Sequence, residues 1–258
     1  MLGLPSDYKL LFRTVAGSHL YGTATEGSDV DERGVFLAPE RYWLGFLDRV
    51  EQVEDKKKDK VYYEWRKFLK LTLDCNPNMV ELLFVPEEMW LDHSDEWFFV
   101  QKTRCAFLSK KAKYTFSGYA HSQLKRLRNH KRWMDGFVPT DKSEREAWEL
   151  WKKNRNPERF ALEEKFGYDT KHASHLLRLM YEGKELLLTG NLTFPRPEAD
   201  LLVKVRKGLW SYDELMERVS EFDRDFEEWY NLSPLPHSPD KTRVNELCME
   251  VARKNFMK

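Results

Sequence analysis

Two aspartates, Asp29 and Asp31, and a glycine–serine pair, Gly17 and Ser18, are the residues of this chain whose types and spacing best suit chemistry. They lie in the stretch AGSHLYGTATEGSDVDERGV, residues 16–35. Two acids two apart on a strand send both carboxylates out of one face. Neighbouring carboxylates repel each other unless a cation lies between them. Mg²⁺ (or Mn²⁺) takes oxygen ligands and usually keeps substrate phosphates in its shell. The pair therefore suits ions that join protein to a nucleoside triphosphate, activate an attacking oxygen and stabilise a leaving pyrophosphate. Gly17 follows a short apolar run, and a glycine there lets the backbone approach a ligand closely. The next amides and the Ser18 hydroxyl are candidate holders of phosphate oxygens. Ser28 joins the nucleotide-binding candidates, as a group that orients a carboxylate or caps the turn. Alone, an Asp-x-Asp is commonly a solvated strand edge and a Gly-Ser an ordinary turn. The order strand, Gly-Ser, Gly, Ser-Asp-x-Asp, apolar run is far more specific.

The elements that must position these groups can be read from periodicity. Residues 8–16 form a short apolar run ending at Gly17, and residues 28–37 alternate with β-branched types, so both are expected strands. Pro39 closes the second, and residues 41–47 are expected to be a short helix or turn. The charged run of residues 54–60 reads as a solvated hairpin loop, residues 61–64 as a third strand, and residues 65–73 as an amphipathic helix. Asn76-Pro77-Asn78 reads as a helix stop and residues 80–85 as a fourth strand. From about residue 95 the period is helical. Long helices are expected over residues 110–128, 171–188 (capped by Asp169 or Thr170), 212–230 (opened by a Ser211/Glu214 capping box) and 241–254 (capped by Asp240). The chain divides into a small α/β lobe, residues 1–94, and an all-helical lobe, residues 95–258.

Composition narrows the class. With 258 residues, 41% of them apolar, the chain is long enough for a real core and is not disordered. Lysine plus arginine equals aspartate plus glutamate, 43 each, so only the distribution of charge can speak for a polyanionic partner. Three scattered cysteines without a CxxC pair fit reduced thiols and offer no zinc-finger site. Neither a signal peptide nor a membrane-spanning run is apparent, so a soluble, cytoplasmic protein is expected.

GSHLYGTATEGSDVD resembles the signature of the DNA polymerase β-type nucleotidyltransferase superfamily, and GSHLYGT…SDVDERGV resembles one branch of it. That branch is RlaP, the nucleotidyltransferases associated with RNA ligases, which includes the YcgL-type proteins. YYEWRKFLKLTLDCNPNMVELLF, FSGYAHSQLKRL and YDTKHASHLLRLMYEGKELLLTG extend the likeness over most of the chain. The resemblance implies an α+β fold: a small mixed sheet carrying the acids at one edge of a cleft, followed by an all-helical lobe forming the opposite wall. It implies transfer of a nucleoside monophosphate to an acceptor hydroxyl, with release of pyrophosphate. It also implies a third metal-binding, catalytic carboxylate on a neighbouring strand. Glu64 and Asp59 are the candidates. Their odd separation lets only one face the aspartates in a regular strand, and Glu64 is preferred because Asp59 sits in the lysine-rich run. As a non-functional residue, Glu64 would simply favour the dipole of the helix it opens.

Lys171 sits at a helix start, where a cation is slightly unfavourable. With His172 it is a candidate triphosphate contact, and otherwise an ordinary surface lysine. Residues 102–132 hold ten Lys or Arg and no Asp or Glu. Lys113, Tyr119, His121, Lys125, Arg126 and Arg128 are candidate nucleic-acid contacts there, because basic side chains interleaved with aromatic ones suit a strand's backbone and bases. The competing reading pairs this helix with the acidic residues 221–228. An RNA end is the expected acceptor, RNA being favoured over DNA only by the resemblance. The rivals are a protein or small-molecule acceptor, and an inactive nucleotide- or RNA-binding module.

Overall fold

The computed structural model describes residues 4–46, 50–55, 57, 59–154 and 156–257. Five strands form one mixed sheet in the order β3-β4-β2-β1-β5. They are β1 (Lys9–Ala16), β2 (Asp31–Leu37), β3 (Gln52–Asp55), β4 (Lys60–Glu64) and β5 (Trp90–His93). β1 runs antiparallel to β2 and β5, β4 runs parallel to β2, and β3 is antiparallel to β4. Val35, Phe36 and Leu37 on the central β2 are all buried, as expected of a strand covered on both faces. On one face Phe12 stacks on Trp97 with ring centroids 3.9 Å apart. On the other, Phe36 and Tyr62 form a small cluster with Tyr8, Leu10 and Val53.

Twelve α-helices account for most of the other described residues. In the first third are α1 (Gly17–Tyr21), α2 (Arg41–Leu44), α3 (Trp65–Leu73) and α4 (Pro77–Leu82). Then come α5 (Asp95–Thr103), α6 (Ala112–Met134), α7 (Lys142–Lys153), α8 (Pro157–Phe166) and α9 (Thr170–Thr189), and finally α10 (Ala199–Arg206), α11 (Tyr212–Leu232) and α12 (Lys241–Phe256). The fold is α+β, a mixed sheet followed by helices. Helix α9 is the spine of the helical part and packs against α6, α8, α10 and α11. Helix α12 returns to pack on α3 and α5, and one core cluster runs from Leu11 through Trp65, Trp97 and Leu177 to Val251. Among the described residues no helix is long and apolar enough to cross a membrane.

Several expectations hold. Asp169 caps α9 by accepting from the amides of Lys171 and His172, Ser211 and Glu214 form a capping box, and Asp240 caps α12. Others are corrected. Residues 80–85 are not a strand: Pro77 opens helix α4, and Met79, Val80, Leu82 and Leu83 are buried. A short apolar run fits a buried helix as well as a buried strand, and Pro at the first helical turn marks a start. The preceding helix ends at Leu73, with Cys75 in the left-handed region at φ 53°. The helix expected over residues 110–128 extends to Met134. The second strand begins only at Asp31, so Asp29 lies in the loop before it. Leu47, at the end of the expected turn of residues 41–47, and Lys56 and Lys58 of the charged run lie outside the described residues.

Candidate active site

A cavity of about 660 Å³ opens between the sheet and the helical part, a size suited to a small-molecule ligand. Its sheet-side wall includes Gly17, Ser18, Ser28, Asp29, Asp31, Arg33 and Asp59. Lys171, Ser174, His175 and Arg178 face it from α9, and their spacing of three, four and seven residues is one helical stripe. Arg159 of α8 and Arg206 of α10 complete the cationic side.

Local structure explains the acidic wall. β1 and β2 pair so that Ala16 stands opposite Asp31. The chain turns at Gly17 with φ +62°, a conformation favouring glycine, and a Cβ there would overlap the Asp31 carboxylate. The loop returning to β2 is closed by Ser28, whose Oγ accepts the Thr25 amide at 2.9 Å. Ser28 thus caps the turn that presents Asp29. Asp31 and Asp59 line the same wall of the cavity, close enough for their charges to bear on each other. Burial first, and then the Asp59 charge, push Asp31 up to about 6, against the opposing pull of Arg33 and Lys171. Asp59 in turn receives Arg33 Nη2 at 3.0 Å.

Glu64 is elsewhere. It is 1% exposed and caps α3, accepting the amides of Arg66 and Lys67 at 2.9 and 3.3 Å. The residue brought to Asp31 is Asp59, because β4 runs parallel to β2 with Glu32 opposite Lys60. That register sets the residue just before β4 beside the start of β2. Glu64, at the far end of β4, sits opposite Phe36.

On the helical wall, Lys171 bears electrostatically on Asp31 across the cavity. His172 does not line it. Burial holds His172 down to about 4 near Asp169, with its ring edge-on to His130 at 6.4 Å. His175 does line it, with Nδ1 3.0 Å from Arg178 Nη2. Guanidinium groups only donate, so Nδ1 accepts and the proton of the neutral ring sits on Nε2. Arg178 is itself buried between Glu81 (2.5 Å) and Glu182 (2.8 Å), over the Tyr21 ring at 4.0 Å. The Tyr21 hydroxyl donates to Glu81 at 2.8 Å. Arg159 Nη1 donates to both carboxylate oxygens of the buried Asp169, at 2.8 and 3.0 Å. Lys171 and Arg206 have no acidic partner among the described residues. Arg206 was not legible as a site residue, since it ends an unremarkable short helix. The only signal for it was spatial.

The six basic-helix candidates lie outside the cavity lining. Lys113 pairs with Glu227, and His121 Nε2 lies 3.2 Å from Asp223, so α6 is partly neutralised by the acidic α11. Tyr119 accepts from Asn76 Nδ2 at 2.8 Å. The Arg128 charge bears on Tyr212, while Lys125, Arg126 and Arg128 are exposed.

The acidic pair fits a hard divalent cation. Both donors are carboxylate oxygens, and their mutual repulsion is what such a charge relieves. Among the described residues no three His, Cys, Asp or Glu side chains are already gathered as an ion cage.

The chain matches the family described as RlaP, RNA repair pathway DNA polymerase beta family, over residues 5–250. It is 32% identical over 129 residues to an uncharacterized 38.9 kDa protein of the nrdC–mobD intergenic region of Enterobacteria phage T4. That match covers 45% of this chain and 38% of the phage protein. No solved structure matches the chain.

Proposed function

The chain belongs to the RNA repair pathway DNA polymerase beta family, and on that premise we propose that it transfers a nucleoside monophosphate from a nucleoside triphosphate to an acceptor hydroxyl. The observation that carries the reading is the placing of Asp31 and Asp59 together on the cavity wall beside Gly17, facing Lys171 across the cavity. In this reading residues 1–94 are the catalytic lobe, and residues 95–258 supply the cationic wall.

Asp31 and Asp59, joined by Asp29 from the loop before β2, would hold Mg²⁺ or Mn²⁺. Bound there, divalent ions supply charge neutralisation and make the acceptor hydroxyl more acidic. Gly17 and Ser18 present amides and a hydroxyl to the β- and γ-phosphates. Lys171 and Arg206 balance phosphate charge from the opposite wall, since neither is spent on an acid. His175 offers its Nε2–H as a neutral donor deeper in the cavity. The acceptor oxygen bonds to the α-phosphorus, the bond to the β-phosphate oxygen breaks, and the acceptor proton passes to solvent. An RNA end is the acceptor we favour, on the family description and on the exposed Lys125, Arg126 and Arg128, which suit a polyanion.

The test is incubation with α-phosphate-labelled triphosphates, Mg²⁺ and a panel of RNA, protein and small-molecule acceptors. Label should enter RNA and be lost in Asp31→Ala. Tight triphosphate binding with no transfer to any acceptor would identify a binding module instead.

A further inference from the structure

Asp59 is held where its own chemistry disfavours it. Its φ of +44° is left-handed, uncommon for a residue with a side chain. Its side chain is 57% exposed, so packing does not fix it. It shares the cavity wall with a second acid, Asp31, and the two like charges bear on each other.

Arg33 opposes all three tendencies. Nη1 donates to the Asp59 carbonyl at 2.7 Å and to the Glu32 carbonyl at 3.0 Å. Nη2 donates to Asp59 Oδ1 at 3.0 Å. The same Asp59 carbonyl also accepts the Glu32 amide at 3.1 Å. One guanidinium therefore grips both the backbone and the carboxylate of Asp59 and ties them to β2. A rigid fork can do this, whereas an ammonium presents a single point charge.

We propose that Arg33 is the positioning residue of the acidic site, holding Asp59 preassembled against Asp31 before an ion arrives. This rests on the reading of that pair as a cation site. The competing role, simple charge neutralisation, has the opposite sign. A neutraliser competes with the ion, so its removal tightens ion binding. Removal of a positioning residue weakens it.

Mn²⁺ binding to the full chain, read by electron paramagnetic resonance, separates the two. Arg33→Ala should weaken Mn²⁺ binding about 10- to 100-fold, the range for residues that orient a metal ligand. Arg33→Lys should recover only part of that loss, and it carries the test if the alanine variant does not fold. On an Asp59→Asn background, Arg33→Ala should add nothing, because Arg33 acts through Asp59. Unchanged or tighter Mn²⁺ binding in either Arg33 variant, or a loss that persists on the Asp59→Asn background, overturns the proposal. Where wild-type binding depends on Asp31 and only the Arg33 variants are indifferent, the role of Arg33 alone falls. Wild-type protein that binds no Mn²⁺, or binds it equally after Asp31→Asn, removes the cation site and the role of Arg33 together.

Discussion

Asp31 Oδ2 lies 1.6 Å from the point where a Cβ on Gly17 would sit. The turn and the acid therefore occupy one volume, and the site exists only because residue 17 has no side chain. Gly17→Ala should lose transferase activity by displacing Asp31, in addition to a backbone cost of about 1–2 kcal/mol for left-handed geometry. Gly27 is the matched control, with φ +81° and nothing within 4 Å of an added Cβ. Gly27→Ala should show a similar loss of melting stability but keep most of its activity. Equal activity in the two variants would separate the Gly17 turn from the chemistry.

Asp31 should be a stability liability in ion-free protein. Its folded pKa of about 6 exceeds the ordinary 3.8, through burial first and the Asp59 charge second. The folded state then binds more protons than the unfolded one between those values, so stability falls as pH rises from about 4 to 6. Asp31→Asn should raise the melting temperature at pH 7.5 in EDTA, with the gain fading toward pH 4. Mg²⁺ should stabilise wild type and not the variant. A variant that melts lower than wild type at pH 7.5 contradicts this.

Asp59 and Glu64 should separate cleanly on substitution. Asp59→Ala should abolish label transfer while leaving the fold intact, since the side chain is largely exposed. Glu64→Ala removes the α3 cap and should cost about 1 kcal/mol of stability, while folded protein keeps its ion binding. Thermal melts alongside Mn²⁺ titrations decide it. Loss of Mn²⁺ binding in well-folded Glu64→Ala would return that residue to the site.

Lys171→Ala and Arg206→Ala should each weaken binding of a non-hydrolysable triphosphate tenfold or more, given about 1.5–3 kcal/mol for hydrogen bonds to charged groups. The nucleoside alone should bind with little change. Calorimetric titration of both ligands checks this, and equal effects on nucleoside and triphosphate would move these cations away from the phosphates.

His175 predicts an acid limb of stability. Burial first, then the Arg178 charge, hold it down to about 3. The unfolded chain takes up a proton that the folded chain refuses, so stability is full above about pH 6.5 and drains as pH falls toward 3. His172, at about 4, adds the same sign. His175→Gln should be less stable than wild type near neutrality but lose less between pH 6.5 and 4.5 by urea titration. Parallel losses would exclude His175 as the titrating group.

The first two strands, the long helices and the identity of the first acids are legible in local pattern. Gly17-Ser18 after an apolar run and Asp29-x-Asp31 before another are local patterns, legible because strand period and turn chemistry act over a few residues. The caps at Asp169, Ser211 and Asp240 were legible for the same reason. Which distant groups face Asp31 is settled by the packing of elements far apart in the chain. The parallel register of β4 on β2 brings Asp59 rather than Glu64 to the site, and no local pattern fixes such a register. Lys171, His175 and Arg206 reach the cavity, and His172 does not, because the packing of α9 against α6, α10 and α11 sets which of its faces is turned to the sheet. The strand expected over residues 80–85 gives way to helix α4, Pro77–Leu82, because a short buried apolar run has no exposed side to reveal its period.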